Sequence, residues 1–567
     1  MNLVSACSLA SDNTGTPPSP PRGVHSGGVL RVGITAPGGI DPLDAYEPVG
    51  KMISSALCDT LISLDPQTGQ VREALAKGWV LSGGTSMTIK LRHGIKFTNG
   101  QELGSRDVNY SLQQLISTSN GSYVASLAQQ FAAVSLGKQD TGILADPDRA
   151  ATIAFGVSRH DFQLTDALVS GGALRAFAEP AMAPVSQSAE SADPSEFASD
   201  PVCVGPYRLS KPYRGDAKTI RLVRSKGYYG ENVGYTSGGV GYADQIVFRI
   251  YPSAKAVLKA YDDGKVDVVE VPRTDVARTK DTASRVFGLA TGTEFLGLPG
   301  NSAGPFSDPD VRIALSEAID RTKLVKDVFG PDDQVADGFV PPALAISPGR
   351  SLDDKMVKGA PLATCGASTP AAPRLAAARA LLAKAATRPG ATPFTGFTLD
   401  VNNDAPYPAM ARELAAQWRS GLGLHVKVKT MPWQAYKAKG EGSPGFTSPF
   451  RVRWASDATA PLTTYNDQQV FYAPLAGSAA TTLANWSHFS DRKFDFALLS
   501  TVSTVTDVQE RGTDFRQLGS MLCQQMPVIP LAFDRPAFLV RSTAVGSARP
   551  VPVGRDGVLM LRELYLK

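Results

Sequence analysis

The stretch at residues 88–112, TIKLRHGIKFTNGQELGSRDVNYSL, constrains the fold more than any other part of this sequence. Its first residues are typical of a strand, and Asn99-Gly100 is a dipeptide that forms tight turns because both residues tolerate positive φ. Ser105 then offers a helix N-cap, and the apolar residues after it are spaced as on one helix face, at Val108, Leu112 and Leu115. The stretch therefore predicts a strand, a turn and a helix in close succession, and no catalytic chemistry.

Length and composition limit the class of protein. A chain of 567 residues that is 43% hydrophobic can bury sizeable cores and is expected to divide into at least two domains. The net charge of +4 is spread along the sequence, and no basic or aromatic-interleaved run argues for nucleic acid. No stretch approaches the ~18 apolar residues that a membrane-spanning helix needs. We therefore expect a loop-rich α/β protein that is neither a permease nor a DNA-binding protein.

Motifs for catalysis and metal binding are missing from the sequence. Its five histidines fall in no H-x-x-H, H-E-x-x-H or Cys/His pattern. It also lacks a G-x-S-x-G elbow, a G-x-x-x-x-G-K-[ST] phosphate loop and a G-x-G-x-x-G turn after a strand. We therefore expect a protein that is not an enzyme and that needs no metal and no cofactor.

A family resemblance runs through nearly the whole chain. The stretch at 88–112 resembles the signature LR-x-G-I/V-K-F of the family 5 extracytoplasmic solute-binding proteins of ABC transporters, the oligopeptide-, dipeptide- and nickel-binding group. Six further blocks are similar to this family in the same order, at 27–43, 55–61, 75–79, 204–209, 220–224 and 261–267. The best match is DPDVRIALSEAIDR at 308–321, whose Arg312, Asp320 and Arg321 are expected to pair and cap within their own lobe.

The resemblance implies an α/β fold of the periplasmic-binding-protein type, with two lobes joined by a two-strand hinge, of class II or cluster C, and an extra inserted subdomain. The hinge strands are expected near Val271-Pro272 and Val528–Leu531. The implied divisions are a lipobox and flexible stalk at 1–27, the first lobe at 28–272 with an inserted subdomain at about 51–200, the second lobe at 273–527, and the return to the first lobe at 528–567.

One unit of the second lobe can be predicted from its residues alone. Phe397–Val401 and His425–Thr430 are typical of strands, and Tyr407–Ser420 between them is typical of a helix. A strand, a helix and a strand in this order form a β-α-β unit, whose two strands pair in parallel.

The N-terminus suggests where the protein acts. Val4-Ser5-Ala6-Cys7 resembles a bacterial lipobox, and Ser8–Gly27 is a stalk rich in Ser, Thr, Pro and Gly. This predicts a lipid on Cys7 and an extracytoplasmic protein that is anchored to the cell membrane. Only Met1-Asn2-Leu3 precede the motif, so we expect a trimmed chain or a misplaced start, with the signal peptide encoded upstream.

The other four cysteines leave two interpretations open. Outside the cytoplasm they could form disulfides, and four cysteines allow three pairings. They could equally be small buried apolar residues, since their spacing carries no metal or redox motif. The residues concerned are Cys58, Cys203, Cys365 and Cys523.

The residue most expected to bind a ligand is Asp457. Trp454-Ala455-Ser456-Asp457 resembles the family's W-x-x-D block, whose aspartate holds the α-amino group of the ligand in peptide-binding members. A buried ammonium needs such a counter-ion, because an unpaired charge is very costly to desolvate. An aspartate that caps a turn is the alternative. Ala458 and Ala460 stand where polar residues are common in the family, which bears on peptide specificity.

Other candidate contacts lie near the predicted strand ends. The loop Thr35–Asp44, with Thr35 and Asp41, and three aromatic residues, Trp433, Tyr436 and Trp454, could line a cleft. Aromatic rings suit this role because they offer broad contact and lose little side-chain entropy. Trp433 and Tyr436 could equally be core residues, and Asp41 could cap only its own turn.

The expected function is that of an extracytoplasmic substrate-binding lipoprotein of an ABC importer. Such a monomer captures a peptide-like solute between its lobes and delivers it to a permease that works with an ATPase, and it binds no nucleic acid. One alternative is the same fold with a non-peptide solute, such as a metal chelate, haem, an opine or a glycan precursor. Another is a regulatory lipoprotein of the cell envelope that does not transport.

Overall fold

The computed structural model describes most of the chain. Cys7, Pro272 and Asp457, for which the sequence predicts roles, lie outside the described residues. The described residues are 24–43, 45, 47–64, 71–82, 86–117, 161–165, 177–231, 241–271, 273–276, 279–300, 304–330, 333–344, 349–350, 356–358, 362–366, 371–391, 393–442, 445–455, 485–503, 508–548, 552–554 and 557–567.

The strands of the described residues form two large sheets and several small ones. In chain order they are β1 (Val29–Ile34), β2 (Ile62–Leu64), β3 (Val71–Glu73), β4 (Ala76–Ser82), β5 (Ser86–Leu91), β6 (Asp161–Thr165), β7 (Tyr207–Leu209), β8 (Thr219–Arg224), β9 (Gln245–Ile250), β10 (Val268–Glu270), β11 (Arg285–Phe287), β12 (Gly292–Gly297), β13 (Gln334–Val335), β14 (Gly349–Arg350), β15 (Met356–Val357), β16 (Gly396–Asn402), β17 (His425–Met431), β18 (Phe450–Ala455), β19 (Val528–Asp534), β20 (Ala537–Val540), β21 (Val545–Ser547) and β22 (Leu564–Leu566).

The helices pack on both large sheets. Within the described part of the chain, none is both long and apolar enough to cross a membrane. In chain order they are α1 (Pro48–Leu57), α2 (Ser105–Ser117), α3 (Gln187–Ala192), α4 (Pro194–Ser199), α5 (Ala254–Asp262), α6 (Arg273–Val276), α7 (Pro309–Glu317), α8 (Arg321–Leu324), α9 (Ala371–Ala386), α10 (Tyr407–Leu422), α11 (Trp433–Glu441), α12 (Arg492–Ser503) and α13 (Val508–Gln525).

The first lobe is built on a seven-stranded sheet in the order β11-β20-β10-β1-β9-β8-β7. Its central strand β1 runs parallel to both β9 and β10, whereas β20 runs antiparallel to β10 and β11. The central strands carry aliphatic side chains on both faces, as is usual for parallel strands that are covered on both sides. Leu30 and Val32 of β1 are fully buried.

The second lobe is built on a six-stranded sheet in the order β13-β19-β12-β18-β16-β17. Here β16 runs parallel to β17 and β18, while β12 runs antiparallel to β18 and β19. The predicted β-α-β unit is confirmed, because β16, α10 and β17 follow one another and the two strands pair in parallel. The predicted α/β fold with two lobes is confirmed as well.

The hinge consists of two adjacent segments that join the sheets. The chain passes to the second sheet between β11 and β12, at 288–291, and returns between β19 and β20, at 535–536. The segments are bonded to each other, since Gly288 N–H donates to the Pro536 carbonyl at 3.0 Å and Thr291 N–H donates to the Asp534 carbonyl at 3.1 Å.

Both passages lie later in the chain than the sequence predicted. After Val271, near the first predicted crossing, the chain still forms α6 and then β11, an edge strand of the first sheet. Val528–Leu531, the second predicted crossing, is part of β19, which is almost wholly buried and pairs with β12 in the second sheet. An apolar run before the hinge therefore belongs to the core of the second lobe.

The stretch at 88–112 folds largely as predicted. Strand β5 ends at Leu91, and Gly100 N–H closes a turn on the Phe97 carbonyl at 2.9 Å with φ at +88°. Helix α2 begins at Ser105 itself, so the N-cap position belongs to Gly104 and not, as the sequence predicted, to Ser105. Around the turn, Lys96 and Glu102 pair in one isolated antiparallel bridge. The predicted apolar helix face is buried, at Val108, Leu112 and Leu115.

The described parts of the segment predicted as an inserted subdomain, at about 51–200, contribute to the core of the first lobe. Its Ile53 and Leu112 share one hydrophobic core with Leu30 and Phe248 of the seven-stranded sheet. A disulfide between Cys58 and Cys203 ties the start of this segment to the chain just beyond its end. A second disulfide joins Cys365 to Cys523 in the second lobe. The sequence left open whether these four cysteines are paired or free, and the structure pairs them in two disulfides.

The charged residues of the 308–321 block have structural roles, as predicted. Arg312 donates to the carbonyls of Gln525 and Phe306 at 2.6 and 2.8 Å, and burial lowers its pKa to about 10. Arg321 is buried and donates to the Pro530 carbonyl at 2.8 Å, while Asp320 caps the helix that begins at Arg321. These bonds help to satisfy backbone carbonyl oxygens in and around the core of the second lobe.

Candidate ligand-binding site

In both large sheets, the carboxyl ends of the parallel strands lie next to the hinge. In the first sheet β1, β9 and β10 are parallel, and the last residue of β10, Glu270, pairs with Phe538 near the start of β20. In the second sheet β16, β17 and β18 are parallel, and Ala455, at the end of β18, pairs with Gly292, at the start of β12. The carboxyl ends of the parallel strands of both lobes therefore flank the hinge. Ligands of open α/β sheets bind outside such strand ends.

The first lobe contributes the loop after β1. Thr35 follows β1 directly and is half-buried. Asp41 stabilises its own turn, because its Oδ1 accepts from Leu43 N–H at 3.0 Å and its carbonyl accepts from Ala45 N–H at 2.7 Å. The capping role that was the alternative for Asp41 is thus present. Thr35 lies at the strand end that a ligand would approach.

Two acidic residues that the sequence reasoning missed lie beside this loop. Glu47 caps α1, and its carboxylate accepts from Gly50 and Val49 N–H at 2.6 and 2.9 Å and from Gly38 N–H at 3.3 Å. Glu270 ends β10, and burial together with repulsion from Glu47 raises its pKa to about 7. The sequence signal that could have identified Glu270 is an acidic residue directly after the apolar residues of β10.

The second lobe contributes aromatic side chains at its strand ends. Trp433 begins α11 directly after β17, and 41% of its surface is exposed. Trp454, the second-last residue of β18, is half-buried and packs on Phe295 with ring centroids 4.8 Å apart. Both lie at the hinge-side edge of the sheet. Asp457 follows Trp454 closely but lies outside the described residues.

Tyr436 belongs to the core, which was the alternative interpretation for this residue. It is fully buried, and its hydroxyl donates to the Arg451 carbonyl at 2.6 Å. Its ring packs on Phe446 and on Trp433, with centroids 4.9 and 6.1 Å apart. Tyr436 therefore packs against Trp433 and has no surface to offer a ligand in this structure.

A cluster of charged residues, which the sequence reasoning also missed, closes the hinge-side edge of the second sheet. Glu294 accepts from Arg451 Nη2 at 3.0 Å and Nε at 3.1 Å, and from the Tyr407 hydroxyl at 3.3 Å. Arg453 forms an ion pair with Asp534, and Arg453 Nε lies 3.9 Å from Glu294 Oε1. Burial, with the charge of Glu294, raises the pKa of Tyr407 to about 12. Two carboxylates thus balance two guanidinium groups next to the hinge.

The described residues hold no obvious metal site. Among them, no group of three or more His, Cys, Asp or Glu side chains is placed to hold an ion. The arrangement offers strand ends, aromatic surface and acidic groups on facing lobes, which suits recognition of a polar solute.

Comparisons with known proteins agree with this geometry. Residues 70–471 match the family model described as bacterial extracellular solute-binding proteins, family 5 Middle. The chain is 26% identical over 545 residues to the probable deoxycholate-binding periplasmic protein YgiS of Escherichia coli, covering 94% of this chain and 92% of that protein. It is 24% identical over 502 residues to the periplasmic murein peptide-binding protein MppA of Escherichia coli, covering 87% and 85%.

The fold has close structural counterparts. The unliganded open form of the murein tripeptide binding protein MppA superposes with a TM-score of 0.70 at 21% sequence identity, over 96% of this chain and 99% of that one. The predicted periplasmic-binding-protein type of fold is therefore confirmed. Because the family model matches well over half of the sequence, the chain belongs to the family 5 extracytoplasmic solute-binding proteins of ABC transporters.

Proposed function

We propose that the protein captures a peptide-like solute between its two lobes and delivers it to the permease of an ABC importer. The observation that carries the proposal is that the carboxyl ends of parallel strands from both lobes flank a two-segment hinge. A solute held there contacts both lobes, and those contacts favour the closed arrangement over the open one. The protein acts as a monomer with one solute per cleft, and binding changes no covalent bond.

A non-peptide solute is the second candidate. Relatives of similar identity are named for a murein peptide and for deoxycholate, so membership of the family does not decide the ligand. Mass spectrometry of small molecules released from gently purified protein separates the two. Peptide masses support the proposal, whereas a steroid-like or other non-peptide mass overturns the peptide part and leaves the fold and the cleft unaffected.

We propose that Asp457 is the counter-ion of the ligand's α-ammonium group. Closure of the lobes excludes water, and a charge-assisted bond to a cation there contributes ~1.5–3 kcal/mol. Asp457→Asn keeps the size and loses the charge, so affinity for free-amine peptides is expected to fall by roughly one to two decades. N-acetylated peptides should bind the parent protein weakly and respond little to the substitution. Titration calorimetry measures all four affinities.

The control for Asp457 is Asp216→Asn, which removes the same charge from an exposed turn between β7 and β8. It should bind free-amine peptides like the parent. Equal affinity of the parent for free and acetylated peptides would show that Asp457 is not an ammonium anchor.

We propose that Cys7 carries a lipid that anchors the protein outside the cytoplasmic membrane. Support comes from the lipobox-like Val4-Ser5-Ala6-Cys7 and from the two disulfides, which persist in oxidising compartments. With a functional signal peptide upstream, Cys7→Ala is expected to move the protein from the membrane fraction to the released fraction. Fractionation followed by immunoblotting measures this, and an unchanged membrane fraction would contradict the anchor.

A further inference from the structure

Glu270 occupies a central place at the hinge-side edge of the first lobe. It is the last residue of β10, which lies between β1 and β20 in the seven-stranded sheet. Its backbone position is set by pairing with Phe538, and the next N–H, of Val271, donates to the Ala537 carbonyl at 3.1 Å. Glu270 is therefore held on a rigid strand directly beside the returning segment of the hinge.

The carboxylate oxygens of Glu270 can accept hydrogen bonds that no described residue donates. Glu270 is half-buried, yet no side chain or backbone N–H in the described part of the chain donates a hydrogen bond to its carboxylate or forms an ion pair with it. The neighbouring carboxylate of Glu47 differs, because three backbone N–H groups occupy its oxygens. Glu47 also repels Glu270, which adds to the effect of burial on the pKa of Glu270.

An ionised carboxylate that is partly buried and has no hydrogen-bonding partner lowers the stability of the folded protein. Desolvating a carboxylate without a partner is unfavourable, and proteins retain such groups mostly where function needs them. A cation that entered the cleft would supply the missing partner, with a charge-assisted bond that gains strength as water is excluded. The geometry thus favours a ligand with a positive charge near the first lobe.

We propose that Glu270 is a specificity-determining residue that binds a cationic side chain of the solute, such as the ammonium of lysine, so that basic peptides are preferred. The inference rests on the proposed function, and it adds a second cation contact to the one proposed for Asp457. Glu270 lies on the first lobe, whereas Asp457 follows β18 of the second lobe.

The test uses tripeptides of alanine that carry lysine at the first, second or third position. Each is compared with its Nε-acetyl-lysine counterpart, which keeps the backbone and the α-ammonium and loses only the side-chain charge. Titration calorimetry is run on the parent, on Glu270→Gln and on the charge-matched control Asp216→Asn. At one position at least, the parent and the control are expected to bind free lysine about tenfold tighter or more. Glu270→Gln should reduce this preference to about twofold or less.

A second measurement does not depend on any ligand. At pH 8, above the pKa of about 7, the Glu270 carboxyl is ionised in the folded protein. Glu270→Gln removes this charge, which has no partner among the described residues, so its melting temperature at pH 8 should exceed that of the parent. A lower melting temperature than the parent's would contradict the unpaired state of the carboxylate and overturn the inference.

The outcomes of the titrations are distinct. If the parent binds the peptides but never prefers free lysine, or if Glu270→Gln keeps the preference, the role of Glu270 is overturned and the peptide function stands. If the parent binds none of the peptides, the peptide function fails and the role of Glu270 fails with it. Loss of the preference in Glu270→Gln alone supports both.

Discussion

Glu294→Gln is expected to lower the free energy of unfolding by roughly 3–5 kcal/mol, because it leaves a buried positive charge without its partner. Arg451 and Glu294 are both buried, and two nitrogens of Arg451 donate to the Glu294 carboxylate. The guanidinium of Arg451 also lies over the ring of Tyr407, with Cζ 3.8 Å from the ring centroid, and only 7% of its side chain is exposed. Urea unfolding followed by tryptophan fluorescence measures the loss.

The control is a surface ion pair of the same residue types. Arg92 donates to Glu73 at 2.9 Å, and half of the Glu73 side chain is exposed, so Glu73→Gln should cost only about 0–1 kcal/mol. The double variant Glu294→Gln with Arg451→Met should recover part of the loss, since it removes the uncompensated charge. If Glu294→Gln and Glu73→Gln lowered the free energy of unfolding equally, the buried pair would contribute no more to stability than the surface pair.

Replacing both Cys58 and Cys203 by alanine is expected to lower the free energy of unfolding by roughly 2–5 kcal/mol. The bridge joins residues 145 positions apart, so its loss frees a long loop in the unfolded chain. It also ties both ends of the segment between them, including α2 and the sheet β4-β5-β6, to the core of the first lobe. Unfolding under oxidising conditions measures the effect.

The control for this bridge is Cys7→Ala, since Cys7 takes part in neither disulfide. It should leave the unfolding midpoint unchanged. An unfolding midpoint of the double alanine variant equal to that of the parent would mean that packing alone holds the segment in place.

Local structure was predictable where the signals lie within a few residues of one another. The tight turn at Asn99-Gly100 was predicted correctly, because turn residues act on their immediate neighbours. The start of α2 was predicted one residue too late, since Ser105 is the first helical residue and Gly104 takes the N-cap position. The unit of β16, α10 and β17 followed from hydrophobic periodicity in the same way. The family resemblance added the two-lobe arrangement, which short-range signals alone do not contain.

The positions of the hinge depended on contacts between distant parts of the chain. Val528–Asp534 is a mostly apolar strand that could join either sheet. Only its pairing with β12 assigns it to the second lobe. In the same way β11 joins the first sheet because β20 lies beside it. A strand's partner is chosen by packing across the whole fold, so the sequence near the strand does not reveal it.

The sequence by itself determined the family, the two α/β lobes and the elements whose turns, caps and periodicity are local. Only the tertiary structure decided which cysteines pair, that Tyr436 is core while Trp433 is exposed, and that Glu294 is buried with Arg451. It also decided that, among the described residues, none forms a hydrogen bond or ion pair with the Glu270 carboxylate. The physical reason is that burial and charge pairing are properties of a side chain's neighbours in space, which for these residues come from remote segments of the chain.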